Sequence, residues 1–501
     1  MPDMYSLGID IGTSSVKVSL LDIESGRCIA SATNPKTEAP IKAVKKGWAE
    51  QDPNSWWTYT CEGIKEISSK FPMNDVKCIG ITYQMHGLVC VNDSGNPVRD
   101  SIIWCDSRAV EIGEETLNGI GYDKCMGHLL NSPGNFTASK LAWVKRNEPE
   151  NYARISKFML PGDYIAYKFS GEITTTPTGL SEGILWDFAE NCRADFVADY
   201  YGIAPNLFAT LVPSIGAQCK TSAEIQTMLG IPEGTPICYR AGDQPNNAFS
   251  LNVLNPGEIA ATGGTSGVVY GVTDMPKADP ESRVNTFLHV NNTTEHPRLG
   301  VLLCINGTGI MNSWLRRNVT KELSYSQMNE LAAKAPAGSD GLLVIPFGNG
   351  AERVLGNKTI GARVAGLDLV RHSTPHLLRA AQEGIAFSFI YGIEIMKGLG
   401  LNPSVIRAGK ANMFLSPVFT ETLSTLSGAS IELLDTDGSL GAARGAALGA
   451  GLYVDEREAF RSLKVEQIIN PKPEWKAPLE EAYGNWKTEL RLSKDFANNL
   501  C

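Results

Sequence analysis

Long apolar runs are missing from this 501-residue chain. Its longest nearly uncharged stretch, 438–454, is broken by Arg444 and rich in glycine. A bilayer-spanning helix needs about 20 consecutive apolar residues, so no membrane span is expected. Positive charge is also scarce: 45 Lys and Arg stand against 54 Asp and Glu, a net charge of −9. That balance argues against non-specific nucleic-acid or anionic-membrane partners. The 11 cysteines contain no C-x-x-C pair, and no His/Cys cluster has zinc-ligand spacing. Reduced thiols in a cytoplasmic protein are the expectation, and Met1-Pro-Asp-Met-Tyr5 shows no basic, apolar leader. Two nucleotide signatures are absent as well. No G-x-x-x-x-G-K-[ST] occurs, which disfavours a P-loop enzyme, and no G-x-G-x-x-G follows a strand to open a helix.

What the chain does contain is one loop pattern used twice. Asp10-Ile-Gly12-Thr13-Ser14-Ser15 lies between an apolar run from Tyr5 and an alternating run from Val16. Thr262-Gly263-Gly264-Thr265-Ser266-Gly267 lies between 258–261 and 268–272. Each reads as strand, tight turn, strand. Glycine-rich turns aim several N–H groups one way and the hydroxyls add donors, which suits a phosphate. Against a net negative charge, that phosphate needs local N–H groups, a lysine such as Lys17, or a metal. Strands near 5–10, 16–22, 27–32 and 78–82 precede helices near 139–146 and 162–169 and a strand at 236–241. Strands near 258–262, 267–272, 285–290, 300–305 and 406–409 follow. A buried helix spans 377–399 and a small-residue helix 441–452. The length and this repeated order predict an α/β duplication with a junction near 245–257 and a cleft between two lobes, 1–250 and 251–501. The segment 455–501 is expected to be helical.

Several residues could carry chemistry. Asp10, at the end of a strand beside the first loop, could hold Mg²⁺ near a phosphate or simply cap the turn. Asp243 follows the strand at 236–241 and could serve as a general base, as a helix cap, or as both. Met85-His86-Gly87 follows the strand at 78–82 and could meet sugar hydroxyls, although a lone histidine is commonly structural. Trp104 offers an aromatic wall and Asp106 a polar group; Asp106 with Arg108 also reads as a weak surface ion pair. Gly409-Lys410-Ala411-Asn412 follows a strand and could receive a ribose or base.

Taken in order, Asp10-Ile-Gly-Thr-Ser-Ser-Val-Lys17, Gln84-Met-His-Gly87, Trp104-Cys-Asp-Ser-Arg108, Gly242-Asp243 and Thr262-Gly-Gly-Thr-Ser-Gly267 resemble the FGGY carbohydrate kinases. The resemblance runs from about Tyr5 to Val454 and is strongest to members that phosphorylate xylulose. It implies a two-domain actin-like, ribonuclease-H-like duplicated fold with a central cleft. It further implies ATP and Mg²⁺ as cofactors, a sugar as substrate, and a homodimer among the expected assemblies. Asp243 falls on the family's catalytic base and Asp10 on its magnesium-supporting acid. Met85 and His86, with Trp104 and Asp106, fall on the sugar side. Thr13, Ser14 and Lys17 fall on the first phosphate loop, Gly263, Gly264 and Thr265 on the second, and Gly409 and Asn412 on the adenosine loop. Three positions depart from the family pattern: Tyr83 replaces a glycine, Gln244 an asparagine, and the adenosine loop reads Ala408-Gly-Lys-Ala-Asn-Met413. Other sugars or polyols such as ribulose, gluconate or glycerol are alternative acceptors. An actin- or chaperone-like ATP switch is the rival of another class. A sugar-responsive regulator would need a DNA-binding extension, for which no room is expected before Tyr5.

Overall fold

The computed structural model describes residues 4–321 and 323–498. Alternating apolar residues lay down β1 (Tyr5–Ile11), β2 (Val16–Asp22) and β3 (Arg27–Asn34) as an antiparallel meander. Helix α1 (Pro53–Ser68) is started by Asp52, whose carboxylate accepts from the Asn54 N–H, and by Pro53, whose fixed φ suits a first turn. Its face with Trp56, Cys61, Ile64 and Ile67 is buried. β4 (Val76–Tyr83) then pairs in parallel with β1. Helices α2 (Thr137–Asn147), α3 (Pro161–Ser170) and α4 (Pro177–Glu182) follow. β5 (Ile215–Lys220) and β6 (Pro236–Gly242) complete a six-stranded sheet in the order β5-β6-β4-β1-β2-β3. Register places Asp10 of β1 and Ala241 of β6 on either side of Thr82 in β4. The carboxyl ends of three parallel strands therefore converge where α5 (Asp243–Ser250) begins.

The second sheet repeats the plan. β7 (Glu258–Gly263), β8 (Gly267–Thr273), β9 (Asn285–Leu288), β10 (Leu299–Ile305), β11 (Val405–Gly409), β12 (Ser430–Leu434) and β13 (Val465–Ile469) lie in the order β9-β10-β8-β7-β11-β12-β13. With β9 set aside, this is the first sheet's order again: a meander, then parallel strands, then an antiparallel edge. Helix α6 (Thr374–Gly398) is the expected buried helix; Phe387, Phe389, Ile390 and Ile393 are all in the core, each contributing about 1.5–3 kcal/mol of apolar burial. The fold is the two-domain, actin-like and ribonuclease-H-like α/β architecture expected from the sequence.

The segment after 455 departs from expectation. It is not uniformly helical: β13 forms the edge of the second sheet before α8 (Pro473–Asn498) begins. α8 packs on the second lobe, burying Tyr483 and Trp486, whose Nε1 donates to Val344 O at 2.9 Å. Residues 499–501 lie outside the described residues.

Helix α7 (Gly438–Gly449), although it follows β12, lies on the first sheet. A Cβ on Gly8 would sit 1.8 Å from Ser439 O, and one on Gly80 2.0 Å from Ala442 O. Only bare backbone in β1 and β4 admits a helix this closely. Ser6 Oγ donates to Ala443 O at 2.7 Å and fixes the seating. α5 packs against α7 and touches the second sheet. These two helices form the seam between the lobes.

Candidate active site

The carboxyl ends of β1 and β6 bring Asp10 and Asp243 to the same edge of the first sheet. Both are half-buried: solvent reaches them from the cleft, and protein surrounds them elsewhere. Burial, then the negative charge of Asp10, lifts the Asp243 carboxyl to about 7; N–H groups of Gln244, from backbone and side chain, partly oppose this. Gln244 thus supplies a donor where the family pattern has asparagine. Asp10 is lifted to about 6 by burial and then by Asp437, with Lys17 offsetting part of the rise. Two repelling, partly desolvated carboxylates accommodate added positive charge readily.

Asp10 also touches the start of α7. A Cβ on Gly438 would lie 2.4 Å from Asp10 Oδ2, so the start of α7 rests on this carboxylate. Asn246 Nδ2 donates to Gly438 O at 2.9 Å and locks α5 to the same point. Lys17, expected at a phosphate, instead pairs with Asp437 at 2.6 Å. Asp437 caps α7 by accepting from the Leu440 N–H. Burial alone would raise the Asp437 carboxyl, but Lys17, Ser439 and Leu440 hold it below its ordinary value.

The first loop is bound up in hydrogen bonds. Thr13 Oγ1 donates to Gln84 Oε1 at 3.3 Å and accepts from Trp104 Nε1 at 2.9 Å, while Gln51 Nε2 donates to Thr13 O at 2.8 Å. Ser14 faces outward and its hydroxyl donates to Glu38 at 2.9 Å. Trp104 is 52 % exposed, so one face of the indole remains open to solvent.

His86 follows β4 with its backbone in the left-handed region, φ 62°. Nδ1 lies 2.9 Å from Glu182 O and donates to it, leaving Nε2 with no hydrogen-bond partner among the described residues. Burial and then the nearby Lys140 charge press its pKa to about 3, so the ring is neutral and its approach to the Glu182 carboxyl is not an ion pair. Phe136 and Phe287 wall the ring at centroid distances of 4.8 and 5.5 Å. Phe136 comes from the first lobe and Phe287 from the second. Below, Lys140 of α2 is fully buried and donates to His86 O at 2.8 Å; burial lowers its pKa to about 7. Met85 is buried against Gly242, where a Cβ would meet its Cγ at 2.5 Å. Tyr83 fits where the family pattern has glycine because its ring lies over Gly162, whose absent Cβ would meet it at 2.1 Å. From the second lobe, Arg353 lies within electrostatic reach of His86, and Cys304 within reach of Asp243.

Asp106 is corrected by the structure. It is 1 % exposed, and its carboxylate is consumed by the Ala49 N–H and by a bidentate Arg108 guanidinium at 2.7–3.0 Å. It does not face the cleft as a sugar contact. Nor is the pair a surface pair: the Arg108 guanidinium lies 3.8 Å from the Trp48 ring centroid and 4.9 Å from that of Trp143, against two indoles that meet edge to face.

The second loop opens onto a cavity of about 740 Å³. Gly263, Gly264, Thr265 and Asn412 line it, together with Tyr325 and Asn329 one helical turn apart. Gly409 is not part of that lining. The loop is braced from behind. Glu352, fully buried, accepts from the Asn306 and Gly307 N–H groups at 2.9 Å, and the next turn returns Gly309 N–H to Gly264 O and Ile310 N–H to Thr265 O. Because a trans peptide points its N–H opposite to its C=O, the Thr265 and Ser266 N–H groups are turned away from that brace. The size suits a nucleotide.

Glu182, Lys140, Asp437 and the 309–329 wall carried no loop signature in the sequence. Lys140 alone left a trace, as a cation flanked by Ala138, Leu141, Ala142 and Val144.

A neutral-histidine pocket, a carboxylate pair at the ends of parallel strands and a nucleotide-sized cavity make an arrangement suited to phosphoryl transfer in a two-lobed α/β fold. The chain belongs to the FGGY family of carbohydrate kinases: the family's N-terminal domain matches residues 5–250 and its C-terminal domain residues 259–452. A xylulose kinase from Staphylococcus epidermidis is 28 % identical over 506 residues, covering 99 % of this chain and 98 % of that one. The ligand-bound xylulose kinase from Lactobacillus acidophilus superposes with a TM-score of 0.88 at 22 % identity, covering 98 % of each chain. The gluconate kinase from the same organism also gives 0.88, at 21 % identity over all of both chains. The fold is therefore shared by kinases named for different acceptors.

Proposed function

We propose that this carbohydrate kinase transfers the γ-phosphoryl group of ATP to D-xylulose, giving D-xylulose 5-phosphate and ADP. The observation that carries the reading is Asp243, a reachable carboxylate at the end of β6 whose affinity for a proton is raised to near neutrality. A base poised near 7 suits removal of a proton from an attacking hydroxyl. The C5 hydroxyl attacks the γ-phosphorus, its proton passes to Asp243, and the bond to the β,γ-bridging oxygen breaks, leaving ADP. His86 offers a neutral acceptor for a sugar hydroxyl, and Met85 and the exposed face of Trp104 serve the sugar side as well. Gly263, Gly264, Thr265 and Asn412 receive the nucleotide. Residues 1–250 thus serve as the sugar lobe and 251–501 as the nucleotide lobe.

The donor set fits Mg²⁺ held mainly by water and phosphate. Among the described residues no group of three or more His, Cys, Asp or Glu is placed to hold a metal, and Asp10 offers one reachable carboxylate. A hydrated magnesium ion uses one or two carboxylates together with substrate phosphates. When bound it would neutralise phosphate charge; Asp10 is the residue that would hold it. The names of the curated relatives and the Met85-His86 pair support xylulose as the acceptor.

No described helix is long and apolar enough to cross a membrane. We place the enzyme in the cytoplasm, with sugar and ATP as its partners. The decisive experiment measures ADP and phosphosugar across D-xylulose, ribulose, gluconate and glycerol with Mg·ATP. Preferred turnover of D-xylulose is expected. Preference for another acceptor reassigns the sugar, and sugar-independent ATP hydrolysis without a phosphosugar replaces the kinase by a switch.

A further inference from the structure

Helix α4 ends against His86, and its last two residues hold different partners. Ser181 Oγ accepts the Leu288 N–H of β9 at 2.8 Å, which seats the second-lobe strand that carries Phe287. Asn131 holds the same strand from the first lobe: its Oδ1 accepts the Thr286 N–H at 3.1 Å and its Nδ2 donates to Thr286 O at 2.7 Å. Glu182 takes His86 instead. Its backbone oxygen accepts from Nδ1 at 2.9 Å, and its Oε2 accepts the His86 backbone N–H at 3.3 Å. Successive residues of one short helix thus hold the ring and one of its aromatic walls.

His86 needs this support. A left-handed backbone is uncommon for a residue other than glycine and persists where the surroundings over-determine it. Both polar groups of the His86 backbone are taken by buried side chains: Glu182 accepts from its N–H, and Lys140 donates to its O at 2.8 Å. Ile184, two residues past Glu182, is also left-handed, at φ 60°, a costly state for a β-branched side chain. The turn that ends α4 fixes it, with the Leu185 N–H on Leu180 O at 2.8 Å. Both sides of the Glu182–His86 contact therefore carry backbone strain.

The Glu182 carboxyl also lies beside the base. A Cβ on Gly242, the residue before Asp243, would stand 3.1 Å from Oε2. Glu182 is 1 % exposed. Burial raises its carboxyl well above the ordinary carboxylate range; the Tyr83 hydroxyl and the His86 N–H oppose the rise, and the charge of Asp243 adds to it. The side chain serves here as a neutral acid.

We propose, on the reading of this cleft as a sugar-kinase site, that Glu182 is a positioning residue of the sugar pocket: it holds His86 so that Nδ1 keeps the ring proton and Nε2 presents a lone pair to a sugar hydroxyl. A neutral imidazole accepts at one nitrogen only, and the hydrogen bond at the other decides which. Freed from Glu182, the backbone relaxes out of the left-handed region, Nδ1 leaves its carbonyl, and either nitrogen carries the proton.

The test uses the full-length enzyme and whichever sugar it turns over. Glu182→Met keeps the length of the side chain and removes the oxygen. It should raise the KM for the sugar about tenfold while that for ATP stays within about twofold. Glu182→Gln keeps a neutral group with an accepting oxygen and should bring the sugar KM back to within about threefold of the parent. Glu182→Asp draws the carboxyl back from the His86 N–H; it should also raise the sugar KM, and it serves should Glu182→Met not fold. An unchanged sugar KM in Glu182→Met or Glu182→Asp overturns the proposal. So does equal harm from Gln and Met, or an equal rise in both KM values. A readout independent of the sugar is the ring itself, in enzyme labelled with ¹⁵N-histidine and assigned by the signal lost in His86→Gln. One tautomer, protonated on Nδ1, is expected in the parent and in Glu182→Gln, and a mixture in Glu182→Met. A parent ring protonated on Nε2 overturns the proposal whichever sugar is phosphorylated, whereas turnover of a sugar other than xylulose reassigns the substrate and leaves this result standing.

Discussion

The two Gly-Thr-Ser loops began alike and ended in different surroundings. The first is filled by its own protein: Thr13 is held by Gln84, Gln51 and Trp104, and Ser14 by Glu38. The second is held from behind and opens onto 740 Å³ of space. Equal sequence patterns in a duplicated fold thus do not imply equal ligands. What decides is which side of the loop its neighbours occupy. In the first lobe they occupy the hydroxyl side and leave the adjoining Asp10 partly open to solvent; in the second they occupy the carbonyl side and leave the loop itself exposed.

The largest effect tests the sugar lobe. Asp243→Asn should lower kcat by about 10²- to 10⁴-fold with little change in ATP affinity, measured by steady-state phosphosugar formation. A correctly folded variant with near-normal kcat would move the chemistry elsewhere. Next, Lys140→Met removes the donor to His86 O and should raise the sugar KM about tenfold while sparing that for ATP. Equal changes in both would erase the distinction between the two sides of the cleft. A third test sets the loops against each other. A Cβ at Gly264 meets nothing nearer than 3.7 Å, so Gly264→Val should fold and crowd the nucleotide, costing about 1.4 kcal/mol, or tenfold in ATP affinity. Thr13→Ala should alter ATP affinity by less than half as much in free energy, both read by titration with a fluorescent ATP analogue.

The acid limb of the pH profile follows from the carboxylates. A protonated Asp243 cannot accept a proton, so kcat/KM should fall as pH drops through about 7. Because the folded protein raises this pKa above its ordinary value, ionisation of Asp243 disfavours the fold. That cost is absent below the ordinary carboxylate pKa, grows as pH rises, and is complete above about 7. At pH 8, Asp243→Asn should therefore raise the thermal midpoint by a degree or two even as it removes activity, in a scan against the parent enzyme. The smallest effect belongs to Ser14→Ala. It breaks an exposed contact and should change kcat and both KM values by less than about twofold.

The comparison also shows what the sequence could reveal. The strands around both loops, Asp243 at a strand end and the buried helix α6 were readable because each is a local pattern of apolar spacing interrupted by glycine. The burial of Asp106 and Arg108 was not, because Trp48 and Trp143 reach them from separate segments. Strand β13 escaped notice because four of its five residues are exposed, leaving no apolar alternation to see. The small residues of α7 advertised close packing without naming a partner. Gly8 and Gly80 complete that signal, yet they lie more than 350 positions earlier in the chain.

That seating has a consequence for any attempt to divide the chain. A fragment ending at residue 250 would present β1 and β4 with a bare, glycine-floored trough where α7 belongs, and a fragment beginning there would carry α7 with nothing to lie on. Each piece lacks a part that only the other supplies. Co-expressed, the pieces should find each other and restore the kinase; expressed singly, they should remain insoluble. The duplicated ancestry is still visible in the two sheets, but the modern halves have become mutually obligate.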